Sequence, residues 1–266
     1  MIDVLLSREP IDAPAVVLVA HPDDETVSAG SVLSRLRNWK LIHLTDGAPQ
    51  DMHDAHRAGF QTREEYAAAR ARELDCALDA LQAQPRARIG YGCVDQESAE
   101  HLAELSQRLR GDLADIEVAV THPYEHGHPD HDACAFVVHA ARALLRRADG
   151  HAPQIIEFAS YHVRDGAGVA AQFWLDEAHP ERELILDAEE CARKTRAIEC
   201  FVSQRGLAEV FPVGVERYRT APDYDFRKPA PPGIAWYDAH GWRIDSARWR
   251  ECAAAALDEL QLDGAL

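Results

Sequence analysis

The stretch VVLVAHPDDETVSAG, residues 16–30, contains the features that decide the predicted fold. Residues 16–19 are apolar and lie between Pro14 and Pro22, which is typical of a short buried strand. His21 and three acidic residues follow at once, and repulsion between these like charges should be costly. A helix N-terminus or a bound cation would compensate for that repulsion.

The composition limits the class of protein. The chain has 266 residues, 47% of them hydrophobic, which is enough for one large domain or two small ones. Its 28 Lys and Arg against 45 Asp and Glu give a formal net charge of −17, which argues against a nucleic-acid partner. The sequence shows neither a signal peptide nor the ~18 apolar residues of a membrane span. We therefore predict a cytoplasmic protein without stable membrane insertion, and reduced thiols, because none of the six cysteines forms a CxxC pair.

Apolar runs and amphipathic stretches alternate through the first 160 residues. The pattern predicts strands over 16–19, 40–47, 87–92, 117–123 and 154–163, and helices over 25–37, 63–82, 98–116 and 129–148. Such alternation is typical of an α/β fold, here a Rossmann-like, mostly parallel sheet with helices on both faces.

The pattern is weaker beyond residue 165. It predicts short strands over 171–176 and 182–187, a helix over 188–200, a Pro-rich loop over 221–233 and a last helix over 245–262. No repeat or linker divides the chain. We predict a single domain over 1–266, with a core over about 15–205 and a C-terminal elaboration over about 206–266.

A second polar cluster, HPYEHGHPDH (122–131), follows the predicted strand over 117–123. Ligands bind at the carboxyl ends of parallel strands, so this cluster and HPDDE face each other if their two strands are neighbours. His128 and His131 are three residues apart at a helix start and can project to one side. Imidazole with carboxylate suits Zn²⁺ or Fe²⁺, and we predict a divalent metal ion between the two turns.

The motifs AHPDDE (20–25) and HPDH (128–131) resemble those of the PIG-L/LmbE-like zinc-dependent N-acetylglucosaminyl deacetylases. TDG (45–47), RARELDCAL (70–78) and KTRAIECFVSQ (194–204) add weaker matches. The resemblance implies an LmbE-like fold. It also implies a zinc-dependent hydrolase that removes the acetyl group from an N-acetylglucosamine-type amino sugar or its conjugate and releases acetate.

The resemblance also implies roles for individual residues. His21, Asp24 and His131 match the metal ligands, with Zn²⁺ expected and Fe²⁺ an alternative, and Asp23 matches the general base. A carboxylate beside a metal-bound water is well placed to take its proton.

Three further roles come from the same resemblance. His128 stabilises the oxyanion or protonates the leaving amine, Asp130 orients His128, and Arg70 contacts the substrate. Some relatives have a tyrosine two residues before the HPDH histidine, and His126 occupies that position here.

Other interpretations remain open. The runner-up is a metal-dependent amidase that acts on a non-sugar N-acyl substrate. An iron(II) oxygenase usually has His-x-Asp rather than His-x-x-Asp, and a nucleotide-binding domain would have G-x-G-x-x-G or a P-loop after the first strand. The aromatic residues of segment 216–242 suit either stacking on a sugar or packing within the fold, and the sequence does not indicate the oligomeric state.

Overall fold

A seven-stranded sheet is the centre of the computed structural model, which describes residues 1–150, 152–230, 234–262 and 265–266. Its parallel part consists of β1 (Ala15–Val19), β2 (Trp39–Pro49), β3 (Ala87–Asp95), β4 (Val118–Thr121) and β5 (Gln154–Phe158), in the spatial order β3-β2-β1-β4-β5. β1 pairs with β2 on one side and with β4 on the other, so that Ala15 lies opposite both Trp39 and Val118. The predicted mostly parallel sheet is confirmed.

Antiparallel strands complete one edge of this sheet. β5 pairs with β9 (Val215–Thr220), which pairs in turn with β8 (Arg182–Ile185). A separate hairpin is formed by β6 (Tyr161–Arg164) and β7 (Ala167–Ala170). The segment after residue 205 therefore contributes a strand to the central sheet.

Two strand predictions in this region are wrong. The single strand expected over 154–163 is broken at Ala159 and Ser160, because the Ser160 carbonyl accepts the Ala171 N–H (2.6 Å) instead of continuing the ladder. The segment 171–176 forms no strand. Its Phe173 is buried and lies beneath the Arg219 guanidinium, 4.4 Å from ring centroid to Cζ, so tertiary packing fixes its conformation.

Helices cover both faces of the sheet, as predicted. The helices are α1 (Ile2–Leu6), α2 (Asp24–Leu33), α3 (His53–Arg57), α4 (Arg63–Leu81), α5 (Leu102–Asp112), α6 (Pro129–Asp149), α7 (Ala188–Glu199), α8 (Leu207–Val210), α9 (Trp236–His240) and α10 (Ser246–Leu260). Val16 and Leu18 of β1 join the hydrophobic core beneath α5, α6 and α10, while Val17 and Val19 join the core beneath α2, α4 and α7. None of the described helices is long and apolar enough to cross a membrane.

Tertiary hydrogen bonds decide where some helices begin and end. α2 stops at Leu33, short of the predicted 37, because the Arg35 carbonyl accepts the Ile11 N–H (2.8 Å). The helix expected over 98–116 begins as a 3₁₀ turn, Ser98–His101, because the Ser98 N–H and hydroxyl both donate to Asp130.

One pair of cysteines departs from the predicted reduced state. Cys76 on α4 and Cys200 at the end of α7 form a disulfide, with their Cα atoms 5.8 Å apart. The two residues are 124 positions apart, so no local spacing indicated the pairing. Cys93, Cys134, Cys191 and Cys252 are free thiols.

Candidate metal centre

The two polar turns meet because the strands that precede them are neighbours. β1 and β4 run parallel in register, and each is followed closely by a His-Pro dipeptide, at His21 and at His122. Both turns therefore leave the sheet at its carboxyl edge, where α/β folds bind ligands.

The turn after β1 is short and strained. Asp23 occupies the N-cap position of α2 with φ 149° and ψ −31°, a region that non-glycine residues rarely adopt. The Asp24 carboxylate folds back to accept the His21 N–H (2.8 Å), and the Glu25 carboxylate accepts the Asp23 N–H (3.3 Å). Glu25 itself contacts His43 Nε2 on β2 at 3.2 Å, so a buried pair supports the turn from below.

Asp24 lies among three imidazoles. Its Oδ2 lies 3.3 Å from His21 Nδ1 and 3.3 Å from His122 Nε2, and its Oδ1 lies 3.3 Å from His131 Nε2. Although burial raises the pKa of Asp24, the contacts with His131 and His122 hold it well below the usual value. The carboxylate is therefore anionic at neutral pH.

Three sets of buried side chains in the described residues bring their donor atoms close enough for a metal ion. They are Asp24 with His122 and His131; His21 with His128 and His131; and His21 with Asp95, His128 and Asp130. The predicted trio of His21, Asp24 and His131 overlaps the first two sets and converges on the Asp24 carboxylate.

The donor atoms fit a cation. His131 Nε2 is buried and has no hydrogen-bond partner among the described residues, while Ser160 Oγ lies 3.2 Å from Nδ1 of the same ring. An imidazole nitrogen left unpaired beside a buried carboxylate is costly, and a divalent ion between them removes that cost.

His122 is the histidine that the sequence prediction left out. Its ring stacks on that of His131, with 3.9 Å between centroids and 22° between planes. His122 Nε2 accepts the Ala20 N–H (3.4 Å), whereas His131 Nε2 has no hydrogen-bond partner in the described part of the chain. Of the two, His131 is therefore the better candidate ligand, and His122 is better suited to orient Asp24. The repeated strand-His-Pro pattern was a signal that could have identified this residue.

Asp23 and Arg70 form a buried ion pair at the edge of the centre. Arg70 Nη2 donates to Asp23 Oδ2 (2.8 Å) and to the Pro22 carbonyl (3.0 Å), and Nη1 donates to the Gly47 carbonyl. Burial raises the pKa of Asp23 to about 7, against the opposing effect of Arg70. Arg70 also lines the cavity described below, and its Nε has no partner in the described part of the chain. Its predicted contact with substrate stays a prediction.

His128 caps α6. Its Nδ1 accepts the Asp130 N–H (3.1 Å), so in the neutral ring the proton is on Nε2. Burial holds the pKa of His128 well below its usual value, and the proximity of His21 adds to this effect. His128 is thus a neutral donor.

The carboxylate of Asp130 lies closer to His21 than to His128, the residue that Asp130 was expected to orient. Its Oδ2 is 3.4 Å from His21 Nε2 and 3.9 Å from His128 Nδ1. The carboxylate also accepts the Gln96 N–H (2.6 Å). Asp130 therefore fixes the ring of a candidate ligand, a common arrangement around protein-bound metals.

Asp95, at the end of β3, is a second residue that the sequence analysis missed. Its Oδ1 lies 3.1 Å from His21 Nε2 and 3.7 Å from His128 Nε2. Burial lowers the pKa of His21, but the contacts with Asp95, Asp130 and Asp24 outweigh burial and raise this pKa well above its usual value. Asp95 belongs to no recognisable sequence motif, and it follows a stretch that only weakly predicts a strand. Its position beside His21 is evident only from the order of the strands in the sheet.

His126, which stands where some relatives have tyrosine, turns away from the centre. Its Nε2 accepts the Ala230 N–H (3.3 Å), and its carbonyl accepts the Trp236 N–H (2.9 Å). The next residue must be glycine, because a Cβ on Gly127 would lie 1.9 Å from the Tyr161 carbonyl oxygen. His126 connects the C-terminal segment to the turn.

A cavity of about 950 Å³ opens above these residues. Its floor includes His21, Asp23, Asp24, Asp95, His128 and His131. Its walls come from three separate parts of the chain: the loop around α3, the segment with α8, and the turn after α9.

Fold and site together define a class of protein, namely α/β proteins with a buried histidine–carboxylate cluster, a candidate metal centre, at the carboxyl ends of parallel strands. The family model of PIG-L, described as GlcNAc-PI de-N-acetylase, matches residues 16–142. The probable N-acetyl-alpha-D-glucosaminyl L-malate deacetylase 2 of Bacillus subtilis (strain 168) is 26% identical over 182 residues, covering 66% of this chain and 76% of that protein. The chain therefore resembles the PIG-L family over residues 16–142.

Solved structures support the fold. The zinc-inhibited form of teicoplanin deacetylase Orf2 has a TM-score of 0.55 at 16% identity, covering 80% of this chain and 100% of that one. GalB, the 4-carboxy-2-hydroxymuconate hydratase from Pseudomonas putida KT2440, has a TM-score of 0.50 at 20% identity, with coverages of 74% and 82%. This fold therefore carries more than one reaction, and the reaction must be argued from the site.

Proposed function

We propose that the protein is a metal-dependent hydrolase that removes the acetyl group from an N-acetylglucosamine-type amino sugar or its conjugate and releases acetate. The observation that carries the proposal is the division between two adjacent carboxylates. Asp24 is surrounded by imidazoles, while Asp23 lies beside it, paired with Arg70 and facing the cavity. One carboxylate is thus available to bind an ion and the other to move a proton. The PIG-L match and the Bacillus subtilis relative support the sugar acetamide as substrate.

The ion that we propose is Zn²⁺ or Fe²⁺, held by His21, Asp24 and His131. The unpaired His131 Nε2 and the anionic Asp24 support this ligand set. When bound, such an ion acts as a Lewis acid and lowers the pKa of water. Metal analysis of protein purified with and without oxygen would distinguish the two ions.

Asp23 is the proposed general base. Hydrolysis of an amide adds hydroxide to the acyl carbon and a proton to the nitrogen as the C–N bond breaks. Asp23 takes the proton of the attacking water and passes it to the departing nitrogen, so the carboxylate is restored. Arg70 holds this side chain in place through the 2.8 Å contact to Oδ2.

His128 is the proposed oxyanion donor. Because its Nδ1 accepts the Asp130 N–H, its Nε2–H is the group left to meet negative charge on the acyl oxygen. A neutral, fixed donor of this kind needs no change of protonation during turnover.

Acetate release from a small panel tests the proposal. Metal-loaded protein should release acetate from a methyl N-acetylglucosaminide much faster than from N-ethylacetamide or an N-acetylated peptide, because a site built for hydroxyls rejects compounds without them. The Asp23→Asn variant is the matched control. Equal rates on all three compounds would favour the non-sugar amidase, and no acetate from any of them would refute deacetylation.

We also propose a cytoplasmic location. The reducing conditions of that compartment would open the Cys76–Cys200 disulfide seen in the structure, so we expect that folding does not depend on this bond. Counting free thiols in protein purified from cytosol under alkylating conditions tests this: six per chain are expected, and four would contradict it.

A further inference from the structure

The aromatic residues of segment 216–242 divide between the fold and the cavity. Tyr218, Phe226 and Tyr237 are fully buried, and the Tyr224 hydroxyl donates to Glu157 (2.7 Å). Among the described aromatic residues of this segment, Trp242 is the one that lines the cavity. Packing therefore explains most of the pattern, and Trp242 requires a separate explanation.

Trp242 is held beside the proposed oxyanion donor. Its ring centroid lies 4.7 Å from that of His128, with 56° between the ring planes. Gly241 adopts φ 61° at the end of α9 and turns the chain, and the Trp242 N–H donates to the Tyr237 carbonyl (3.1 Å). The next residue, Arg243, pairs with Glu100 at 3.1 Å. The backbone around Trp242 is thus held on both sides in sequence, and the half-buried indole presents its exposed part to the cavity.

A second aromatic wall lies beside His131, a proposed metal ligand. The Tyr161 ring lies 5.1 Å from His131, and Phe211 lies 6.4 Å from Tyr161. The cavity of about 950 Å³ is near the upper end of the roughly 300–1,000 Å³ typical of ligand pockets. Aromatic walls above a floor of charged groups suit a ligand with apolar faces and a polar edge, and a pyranose ring has this shape.

We propose that Trp242 is a specificity-determining residue, and that its exposed indole face is the platform on which the pyranose of the substrate stacks beside His128. This inference rests on the proposed function, which supplies the sugar. Stacking places the C–H face of the ring on the indole and leaves the acetamide directed at the floor. The substrate class is a glycoside of N-acetylglucosamine, because one pyranose would leave much of the cavity unfilled.

Binding and kinetics together test the platform. Isothermal titration of methyl N-acetylglucosaminide into Asp23→Asn protein is compared with titration into the same protein that also carries Trp242→Ala, Trp242→Phe or Trp236→Phe. Removal of the indole should raise Kd about tenfold, which corresponds to a loss of about 1.4 kcal/mol of stacking energy. Phe at 242 should restore most of the affinity. Trp236→Phe is the control from the same segment: Trp236 lies outside the cavity lining and packs on Tyr161, with 5.7 Å between ring centroids. Because Phe keeps an aromatic ring against Tyr161, this substitution should leave Kd unchanged.

The same substitutions in active protein should raise KM for the glycoside about tenfold and act less on kcat. A Kd within twofold of the parent for Trp242→Ala, or an equal loss in the Trp236→Phe control, would overturn the platform. If wild-type protein releases no acetate, the proposed function fails, and the titrations still decide whether Trp242 binds the sugar.

Discussion

The turns after β1 and β4 begin alike and end differently. Each starts with His-Pro at the carboxyl end of a parallel strand, at His21 and His122. The first enters its helix at Asp24, whereas the second runs through five further residues before α6 begins at Pro129. The short turn directs carboxylates to the centre of the site from a helix N-terminus, and the long turn supplies imidazoles.

The electrostatics of the two turns are opposite. The turn after β1 concentrates charge, with a carboxylate of low pKa at Asp24 and a raised pKa at His21. In the turn after β4, burial lowers the pKa of His122 to about 3 and that of His126 to about 4. The turn after β1 therefore contributes charged side chains, Asp24 and His21, to the site. The turn after β4 contributes the neutral imidazoles of His122 and His126. Four predictions test this contrast.

The largest expected effect is the difference between substituting His131 and substituting its stacked neighbour, His122. His131→Ala should lose stoichiometric metal and all measurable acetate release, because it removes a proposed ligand. His122→Phe keeps a ring of similar size and should retain the metal with affinity reduced by about 10–100-fold, as for residues that orient ligands. Metal content after dialysis measures both. Retention by His131→Ala with loss by His122→Phe would exchange their roles.

The next effect concerns the free carboxylate of the first turn. Asp23→Asn should keep the metal and lower kcat by ~10²-fold or more, because the amide cannot accept the proton of water. Metal content and kcat are to be measured on the same sample. Near-wild-type turnover with metal present would remove Asp23 from the mechanism.

Lowering the pH should decrease the free energy of unfolding, because His126, in the turn after β4, is protonated less readily in the folded than in the unfolded state. Its folded-state pKa of about 4 lies below the unfolded value of about 6.5, so the folded form binds fewer protons. Above pH 6.5, His126 is neutral in both the folded and the unfolded state, and the folded state keeps its full stability. As the pH falls from 6.5 towards 4, the unfolded state binds a proton at His126 and the folded state does not, so the free energy of unfolding decreases. Between pH 7 and pH 5 this group should cost about 2 kcal/mol of unfolding free energy.

His126→Gln lacks the titrating group and retains an amide that can accept the Ala230 N–H. Urea unfolding at pH 7 and pH 5 should show a loss smaller than that of wild type by about 2 kcal/mol. Equal losses in both proteins would show that His126 is protonated without cost in the folded state.

The smallest effect concerns the support of the first turn. His43→Ala removes the partner of Glu25, whose carboxylate accepts the Asp23 N–H, and should lower kcat about fivefold with KM unchanged. His43→Gln restores a donor and should recover most of the rate. A change confined to KM would show that His43 does not act through Asp23.

Local periodicity and adjacent motifs explain what was predictable. The parallel strands were found because they are short continuous apolar runs, although β5 ends at Phe158, before the predicted 163. The helices between them were found because most of them bury one apolar face with the helical period. The meeting of HPDDE with HPDH followed from one assumption, that β1 and β4 are neighbours, which the sheet order confirms. The roles assigned to individual side chains in this meeting stay predictions.

The features that the sequence analysis missed depend on contacts between residues that are far apart in the sequence. β9 was missed because its pairing with β5 and β8 is set by residues about 30–60 positions away. The Cys76–Cys200 bond spans 124 residues. Asp95 gains its contact with His21 only through the packing of β3 beside β2. Each of these features is determined by the assembled sheet and by no local pattern.

The order of the site along the chain has a consequence for substrate preference. The side chains proposed to break the bond lie between His21 and His131, within the family match, whereas Leu207, Phe211 and Trp242 of the cavity walls lie beyond residue 142, where that match ends. Changes in these wall residues would therefore alter the substrate preference and leave the proposed catalytic residues unchanged. A chimaera that exchanges only the last quarter of the chain would carry a new preference without a new mechanism.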